Sequence, residues 1–319
     1  MNVINNGNKG KKKKPKTIVI LDINLVLRQF SRNPALPVIL IHTPAEWNPL
    51  WLNHLQKNHT IGLVPTMGAL HQGHLDLVKK SIEKADITVV SIFVNPTQFN
   101  NQDDFAKYPN TLQADLQILE KAGVDYVFLP SVETIYPSLP NLKLDFGDLE
   151  RVLEGEFRPG HFNGVGIVVS KLFHFIRPHI AFFGQKDLQQ VAIIKRLVND
   201  LSFPIELEVV PTRREKDGLA LSSRNMRLSP EERQNALILS RSLEKAKARL
   251  LGGKVWSEVQ KEIMADFENL ESSKLEYFAL VHPETFELIQ NFSPEEKSSI
   301  CVAAFIGEIR LIDNLPIIP

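Results

Sequence analysis

Six short apolar runs punctuate the first two-thirds of the chain: "PVILIH" (37–42), "TIGLVP" (60–65), "ITVVSIFV" (87–94), "DYVFLP" (125–130), "HIAFFG" (179–184) and "ELEVVP" (206–211). Each is short and rich in Val, Ile or Phe, the pattern of strands covered on both faces. Helical stripes lie between several of them. Leu75, Val78, Ile82 and Ala85 share one face after the second run, and Leu112, Leu116 and Leu119 lead to Gly123, a predicted C-cap. Val191, Ile194, Leu197, Val198 and Leu201 form a third stripe. Strands alternating with helices predict an α/β fold built on a Rossmann-like, doubly wound parallel sheet.

Beyond about residue 212 the pattern changes. "SPEERQNALILSRSLEKAKARLL" predicts a helix with Ser229 as N-cap, Pro230 at its first position and Glu232 completing a capping box. A second helix is expected around "VWSEVQKEIMADF", and "LEYFALV" (275–281) and "SICVAAFIGEIRLI" (299–312) read as strands. The chain therefore divides into an N-terminal extension (1–37), a Rossmann-like domain (38–212) and a second, smaller α+β C-terminal domain (213–319). No internal repeat is present.

Composition narrows the class. The chain has 319 residues, 43% hydrophobic and 23% charged, which is the range of a soluble globular protein with ample material for a core. Its formal net charge is zero but unevenly spread. Six lysines fall between Lys9 and Lys16, and no acidic residue precedes Asp22, so residues 1–16 are expected to be a disordered, solvated arm. Without those lysines, 31 basic residues face 37 acidic ones, leaving a body of about −6. That balance speaks against nucleic acid as a partner, and any attraction for anionic substrates must come from a local pocket. Cys301 is the sole cysteine, which excludes an intramolecular disulfide and fits a reducing cytoplasm, the expected location. The lysine run followed by "TIVILDINLVL" loosely imitates a secretory signal. Asp22 and Asn24 interrupt the apolar stretch, no small-residue cleavage site follows, and it is too short to span a membrane.

Ligands of open parallel sheets bind beyond the carboxyl ends of the strands. Four such ends carry clustered polar residues. Pro65-Thr66-Met67-Gly68 and His71-Gln72-Gly73-His74 follow the second run, and Asn95-Pro96-Thr97-Gln98 the third. Gly184-Gln185-Lys186-Asp187 with Gln189 and Gln190 follow the fifth, and Thr212 with "DGLALSSRN" (Ser222, Ser223, Arg224) the sixth. A helix starting near Gly73 would aim free backbone N–H groups and its positive dipole end at a ligand. Gly68 and Gly73 permit close approach, and His71 and His74, spaced i and i+3, project two imidazoles toward one point. The dipole contributes only about 0.3–1 kcal/mol, up to about 2 when partly buried. Triphosphate chemistry therefore needs discrete donors, which Lys186, Ser222, Ser223 and Arg224 can supply. Neither G-x-x-x-x-G-K-[ST] nor a strand-following G-x-G-x-x-G occurs. The histidines read alternatively as a metal pair, although zinc wants three or four ligands, or as inert helix-start residues. Gln98, Gln189 and Gln190 read equally as surface amides, Ser222–Arg224 as a capped turn, and Arg158-Pro159-Gly160-His161-Phe162 as a structured loop.

The His-x-Gly-His signature resembles the nucleotidylyl-transferase superfamily. "VPTMGALHQGH", "VSIFVNPTQF", "LEGEFRPGHFNGV", "FFGQKDLQQ", "DGLALSSRN" and "RLIDN" together resemble, in order and over about residues 38–314, the pantoate–β-alanine ligase family. The resemblance implies that ATP and (R)-pantoate give pantoyl adenylate and pyrophosphate, and that the amine of β-alanine then displaces AMP. It assigns Met67, Gly68, Ala69, Leu70, His71, Gln72, Gly73 and His74 to the ATP site. Gly184, Gln185, Lys186, Asp187, Arg213, Leu221, Ser222, Ser223 and Arg224 join them. His74, as proton donor, His71 and Lys186 are the implied catalytic groups. Gln98 and Gln190 are implied to bind pantoate, with Gln98 also near β-alanine. Mg²⁺ accompanies ATP without a dedicated protein metal site, a homodimer is the usual state, and neither membrane nor nucleic acid is an expected partner. Two positions depart from the family: Gln185 stands where Glu is usual, and His282, before Pro283, where Asp is usual. The competing readings are an adenylyl transferase for a phosphopantetheine or nucleotide substrate, and an RNA-binding protein whose lysine arm would give steeply salt-dependent affinity.

Overall fold

The structure is a computed structural model that describes residues 37–99, 105–106 and 108–318; the lysine-rich arm lies outside the described residues. All six apolar runs form strands: β1 (Ile39–Ile41), β2 (Ile61–Thr66), β3 (Ile87–Ile92), β4 (Tyr126–Phe128), β5 (Ile180–Gly184) and β6 (Glu206–Val210). Their order is β1-β4-β3-β2-β5-β6 and every pairing is parallel. The chain runs outward from β2 through β3 and β4, then returns to place β5 and β6 on the other side. The point where the order reverses, between β2 and β5, is where such sheets bind ligands.

Five helices cover the sheet: α1 (Pro44–Gln56), α2 (Gln72–Lys84), α3 (Leu112–Ala122), α4 (His161–Ile176) and α5 (Leu188–Asp200). Strand residues alternate between two cores. Leu63, Val89 and Phe183 pack with Trp47 of α1, Phe173 of α4 and Ile194 of α5. Val64, Val90 and Phe182 pack with Val78 of α2 and Leu119 of α3. The buried stripe of α2 runs through Leu77, Val78 and Ser81, with Leu75 only partly covered. Gly62 explains the roll: a Cβ there would collide with the Ser81 hydroxyl, so its absence draws Ser81 inward.

Two expectations need correction. β6 is not covered on both faces; it is an edge strand whose Glu206 and Glu208 meet Lys80 and Lys84 of α2, and charges blunt an exposed edge. Leu201 does not belong to the buried stripe of α5. It caps the helix one residue past its last turn and is exposed.

After the short α6 (Pro230–Asn235), the C-terminal part packs α7 (Leu237–Leu251) and α8 (Trp256–Glu268) on an antiparallel sheet of β7 (Ser273–Val281), β8 (Ser298–Ile306) and β9 (Ile309–Ile318). The expected capping box is present: the Glu232 N–H donates to Ser229 Oγ (3.2 Å) and the Ser229 N–H to Glu232 Oε2 (2.8 Å). The helix expected from it breaks at Ala236 into α6 and α7. The run 299–312 is a hairpin folded at Gly307, whose φ of 56° favours glycine.

The two parts share a core. Leu149, Phe162 and Ile193 pack with Val281, Phe286 and Cys301. A buried ion pair fastens them as well. Glu154 accepts hydrogen bonds from Arg310 of β9 (2.7 and 2.9 Å) and from the Tyr277 hydroxyl of β7 (2.8 Å). Burial alone would raise the Glu154 pKa, but the Arg310 bonds and charge outweigh it and hold it at about 2.

Candidate active site

The segment after β2 turns sharply at Gly68 (φ 83°) and Ala69 (φ 51°). A side chain from α3 holds the turn. Asp115, buried, accepts from the N–H of Ala69 (2.9 Å) and of Leu70 (2.8 Å), and from the Thr111 hydroxyl (3.1 Å). The Ala69 and Leu70 N–H groups are therefore committed to a carboxylate and not offered to a nucleotide.

α2 begins with a capping box made of imidazoles. His71 is the N-cap, its Nδ1 accepting from the Gly73 N–H (3.1 Å), while His74 Nδ1 accepts from the His71 N–H (3.2 Å). The His71 ring folds over Gly73, where a Cβ would sit 3.0 Å from His71 Cε1; this is why a glycine separates the two histidines. An Nδ1 that accepts is unprotonated, so in each neutral ring the proton is on Nε2. Burial lowers the His71 pKa to about 4, helped by Lys186, and that of His74 to about 3, helped by His71 and Lys186. At neutral pH the rings, 4.1 Å apart, are two uncharged Nε2–H donors. The expected free N–H of Gly73 is taken by the cap, and the imidazoles replace it as donors.

Past β3, Asn95 is fully buried. Its Oδ1 accepts from Thr97 and from the Tyr136 hydroxyl (2.8 Å), and its Nδ2 donates to Gln98 Oε1 (3.1 Å) and the Gly164 carbonyl (3.2 Å). Gln98 Oε1 is thus occupied, and its Nε2 end lies 2.9 Å from the Met67 sulfur. After β5, Lys186 sits on the turn Gln185–Asp187 with its Nζ 3.8 Å from Asp187 Oδ1. Gln189 and Gln190 part company. Gln189 is buried and satisfied, accepting from the Glu154 N–H and donating to the carbonyls of Leu149 and Val152. After β6, Ser222 caps the turn Ser223–Arg227 by accepting from the Arg224 N–H (3.3 Å).

These ends surround one cleft of about 260 Å³ at the β2/β5 switch point. From β2 it takes Met67, His71, Gly73 and His74; from β3, Gln98; from β5, Gly184, Lys186, Asp187 and Gln190. Arg213, Leu221, Ser222, Ser223 and Arg224 close the far side. Gly68, Ala69, Leu70, Gln72 and Gln185, also expected at the ATP site, do not line the cleft.

A family model for pantoate-beta-alanine ligase matches residues 39–316. The chain belongs to the pantoate–β-alanine ligase family. It is 47% identical over 267 residues to the pantothenate synthetase of Cytophaga hutchinsonii, covering 82% of this chain and 93% of that protein. A pantothenate synthetase structure from Thermus thermophilus matches with a TM-score of 0.82 at 40% identity, over 88% of this chain and all of that one. That of the Francisella tularensis pantoate-beta-alanine ligase, complexed with beta-gamma ATP and beta-alanine, matches with a TM-score of 0.73 at 38% identity, over 88% of this chain and 97% of that one.

Both departures from the ligase pattern have local explanations. Gln185 contributes its main-chain carbonyl, which accepts from Asn314 Nδ2 (3.0 Å), so its side chain is free to vary. His282 Nδ1 accepts from the N–H groups of Glu284 and Thr285 (both 3.3 Å), the turn-capping task a carboxylate performs equally well. Other polar residues that line the cleft have no ligand role in the residue-by-residue reading, among them Arg158 and His161, expected in a structured loop, and Asp313 and Asn314. His161 donates from Nδ1 to the Gln98 carbonyl (2.9 Å), and burial, then Arg158, lower its pKa to about 3. Asp115 left one trace, a carboxylate within the apolar stripe Leu112–Leu116–Leu119.

Proposed function

We propose that this cleft performs both half-reactions of a pantoate–β-alanine ligase, using the residues it gathers in the roles below. In the first, a carboxylate oxygen of (R)-pantoate attacks the α-phosphorus of ATP. An O–P bond forms as the bond to pyrophosphate breaks, giving pantoyl adenylate. In the second, the amine of β-alanine attacks the acyl carbon; a C–N bond forms, the C–O bond breaks, AMP leaves, and the nitrogen releases one proton to become the amide N–H. The observation that carries the reading is the pair of neutral imidazoles, oriented by their own backbone bonds, beside Lys186 at the switch point.

Negative charge grows on the phosphoryl oxygens and on departing pyrophosphate in the first step, and fixed donors and cations serve it best. His74 and His71 supply Nε2–H donors. With pKa values of about 3 and 4 they act as neutral electrophiles that donate a hydrogen bond and keep their proton. This refines the proton-donor role implied for His74. Lys186 and Arg224 supply positive charge, and Ser222 and Ser223 hydroxyls. Gln98, through Nε2, and Gln190 hold the hydroxyl and carboxylate oxygens of pantoate, while Val165 and Val168 in the same lining suit its methyl groups. Gln98 also stands beside β-alanine. The beta-gamma ATP and beta-alanine in the Francisella relative support both ligands for this chain.

Among the described residues no group of three or more His, Cys, Asp or Glu could hold a metal ion. Mg²⁺ would accompany the triphosphate and neutralise phosphate charge; of the cleft carboxylates, Asp187, 3.8 Å from the Lys186 ammonium, is the one not held by an arginine, Glu154 and Asp313 being paired with Arg310 and Arg214. Residues 38–212 form the nucleotide-binding domain and 213–319 the unit that closes it. A homodimer is supported by Leu139 and Leu142, exposed on an extended stretch after β4. A cytoplasmic location is supported by the single, unpaired Cys301. The test is isotope exchange between pyrophosphate and ATP, expected to require pantoate but not β-alanine. Exchange that ignores pantoate would refute the proposal and favour a transferase with another acceptor.

A further inference from the structure

No side-chain cap holds the turn that carries Lys186. Gln185–Asp187 is a single 3-10 turn, and although Asp187 stands at the N-cap of α5, its side chain makes no capping bond. The anchor comes from the other end of the chain. Asn314, on β9, donates from Nδ2 to the carbonyl of Gln185 (3.0 Å) and to that of Lys186 (2.8 Å).

Asn314 is itself fixed. It is buried, its N–H donates to Asp313 Oδ1 (2.8 Å), and its carbonyl accepts from Arg214 Nη2 (3.0 Å). Arg214 in turn grips Asp313 through two bonds of 2.6 and 3.0 Å. The Asn314 Oδ1 atom is buried without a protein partner. Rotating the amide would place that oxygen against two carbonyls and lose both bonds, so the unpaired oxygen accompanies an orientation set by the turn. Two bonds to successive carbonyls fix the peptide planes around Lys186, and with them the direction in which its flexible stem leaves the backbone.

We propose that Asn314 is a positioning residue: by holding the Gln185 and Lys186 carbonyls it sets where the Lys186 ammonium stands, making the C-terminal sheet part of the adenylation machinery. The inference rests on the reading of Lys186 given above. Its test is a double-mutant cycle of Asn314→Asp and Lys186→Ala, with kcat and KM of pantoate-dependent pyrophosphate exchange measured for each full-length variant. Asn314→Asp keeps size but loses both donors. It should lower kcat about 10- to 100-fold, the effect of a displacement near 1 Å, and leave the pantoate KM within about twofold. In the Lys186→Ala background the same change should have less than about a twofold further effect, since a residue acting through lysine has nothing left to position. Effects that multiply, or an unchanged kcat in folded Asn314→Asp, would overturn the inference. Full activity of Lys186→Ala would instead refute the role of Lys186, and the inference with it. If Asn314→Asp does not fold, Asn314→Ala goes through the same cycle: a kcat loss that vanishes in the Lys186→Ala background supports the inference, and one that multiplies overturns it.

Discussion

Asp115→Asn isolates the support of the loop between β2 and α2 without emptying a cavity. The carboxylate accepts from two backbone N–H groups at 2.8 and 2.9 Å and from a threonine hydroxyl at 3.1 Å, in a buried place. Hydrogen bonds to a charged acceptor are worth about 1.5–3 kcal/mol each, and a buried donor left unpaired costs about 1–3 kcal/mol. Asparagine keeps one acceptor oxygen and turns an NH₂ group toward the other N–H. The expected loss is therefore about 2–4 kcal/mol of folding stability, read from the midpoint of urea unfolding at an unchanged slope. Ala69, with its positive φ, is the residue this bond restrains, so Met67 and His71 on either side should also lose their setting. Pyrophosphate exchange should fall about tenfold or more in the folded variant, a barrier increase of about 1.4 kcal/mol. An Asp115→Asn protein as stable and as active as the parent would show that the loop holds itself.

Three further outcomes follow from named contacts. Gln190→Ala or Gln98→Ala should raise the pantoate requirement by about 1–3 kcal/mol with ATP affinity almost unchanged, whereas Gln189→Ala should lower stability by leaving the Glu154 N–H unpaired; substrate titrations and unfolding curves separate the neighbours, and equal behaviour of Gln189 and Gln190 would contradict the assignment. Buried His54, bonded to the Tyr126 hydroxyl (2.8 Å), has its pKa lowered to about 4 by burial and by His59; the unfolded chain binds the extra proton, so stability should fall as pH drops from about 6.5 to about 4, by up to about 3 kcal/mol for this residue. His54→Gln should flatten that slope while His71, His74 and His161 keep theirs, and an unaltered slope would refute the attribution. Deleting residues 1–37, which precede the family match, should leave turnover within a few-fold; a loss beyond about tenfold with the fold intact would place that segment in the active structure.

The sheet was legible because strands buried on both faces are continuous apolar runs, and the ligand edge because polar residues gathered immediately after four of them. β6 was legible as a strand, but the expectation that both its faces are covered misreads Glu206 and Glu208 alternating with Leu207 and Val209, the mark of a half-solvated edge. What stayed hidden depends on bonds between distant positions. Asp115 lies 46 residues from Ala69, and Asn314 lies 128 from Lys186; no local pattern links either pair. Gln189 and Gln190 are adjacent on a helix and chemically identical, and only the carbonyls around Gln189 decide which amide remains for a ligand. The protonation of His71 and His74 was hidden for a similar reason. Spacing brings the rings together, but the Nδ1 bonds to backbone N–H groups determine which nitrogen donates.

Activation of pantoate as an acyl adenylate in this cleft leaves its trace in the fate of one carboxylate oxygen. With ATP, β-alanine and pantoate labelled with ¹⁸O in its carboxylate, the attacking oxygen stays on phosphorus when the amine displaces AMP. Mass spectrometry should find one ¹⁸O atom in the phosphate of AMP and one pantothenate for each AMP. AMP without the label, with the departing ¹⁸O found in pyrophosphate, phosphate or water instead, would contradict the adenylate route.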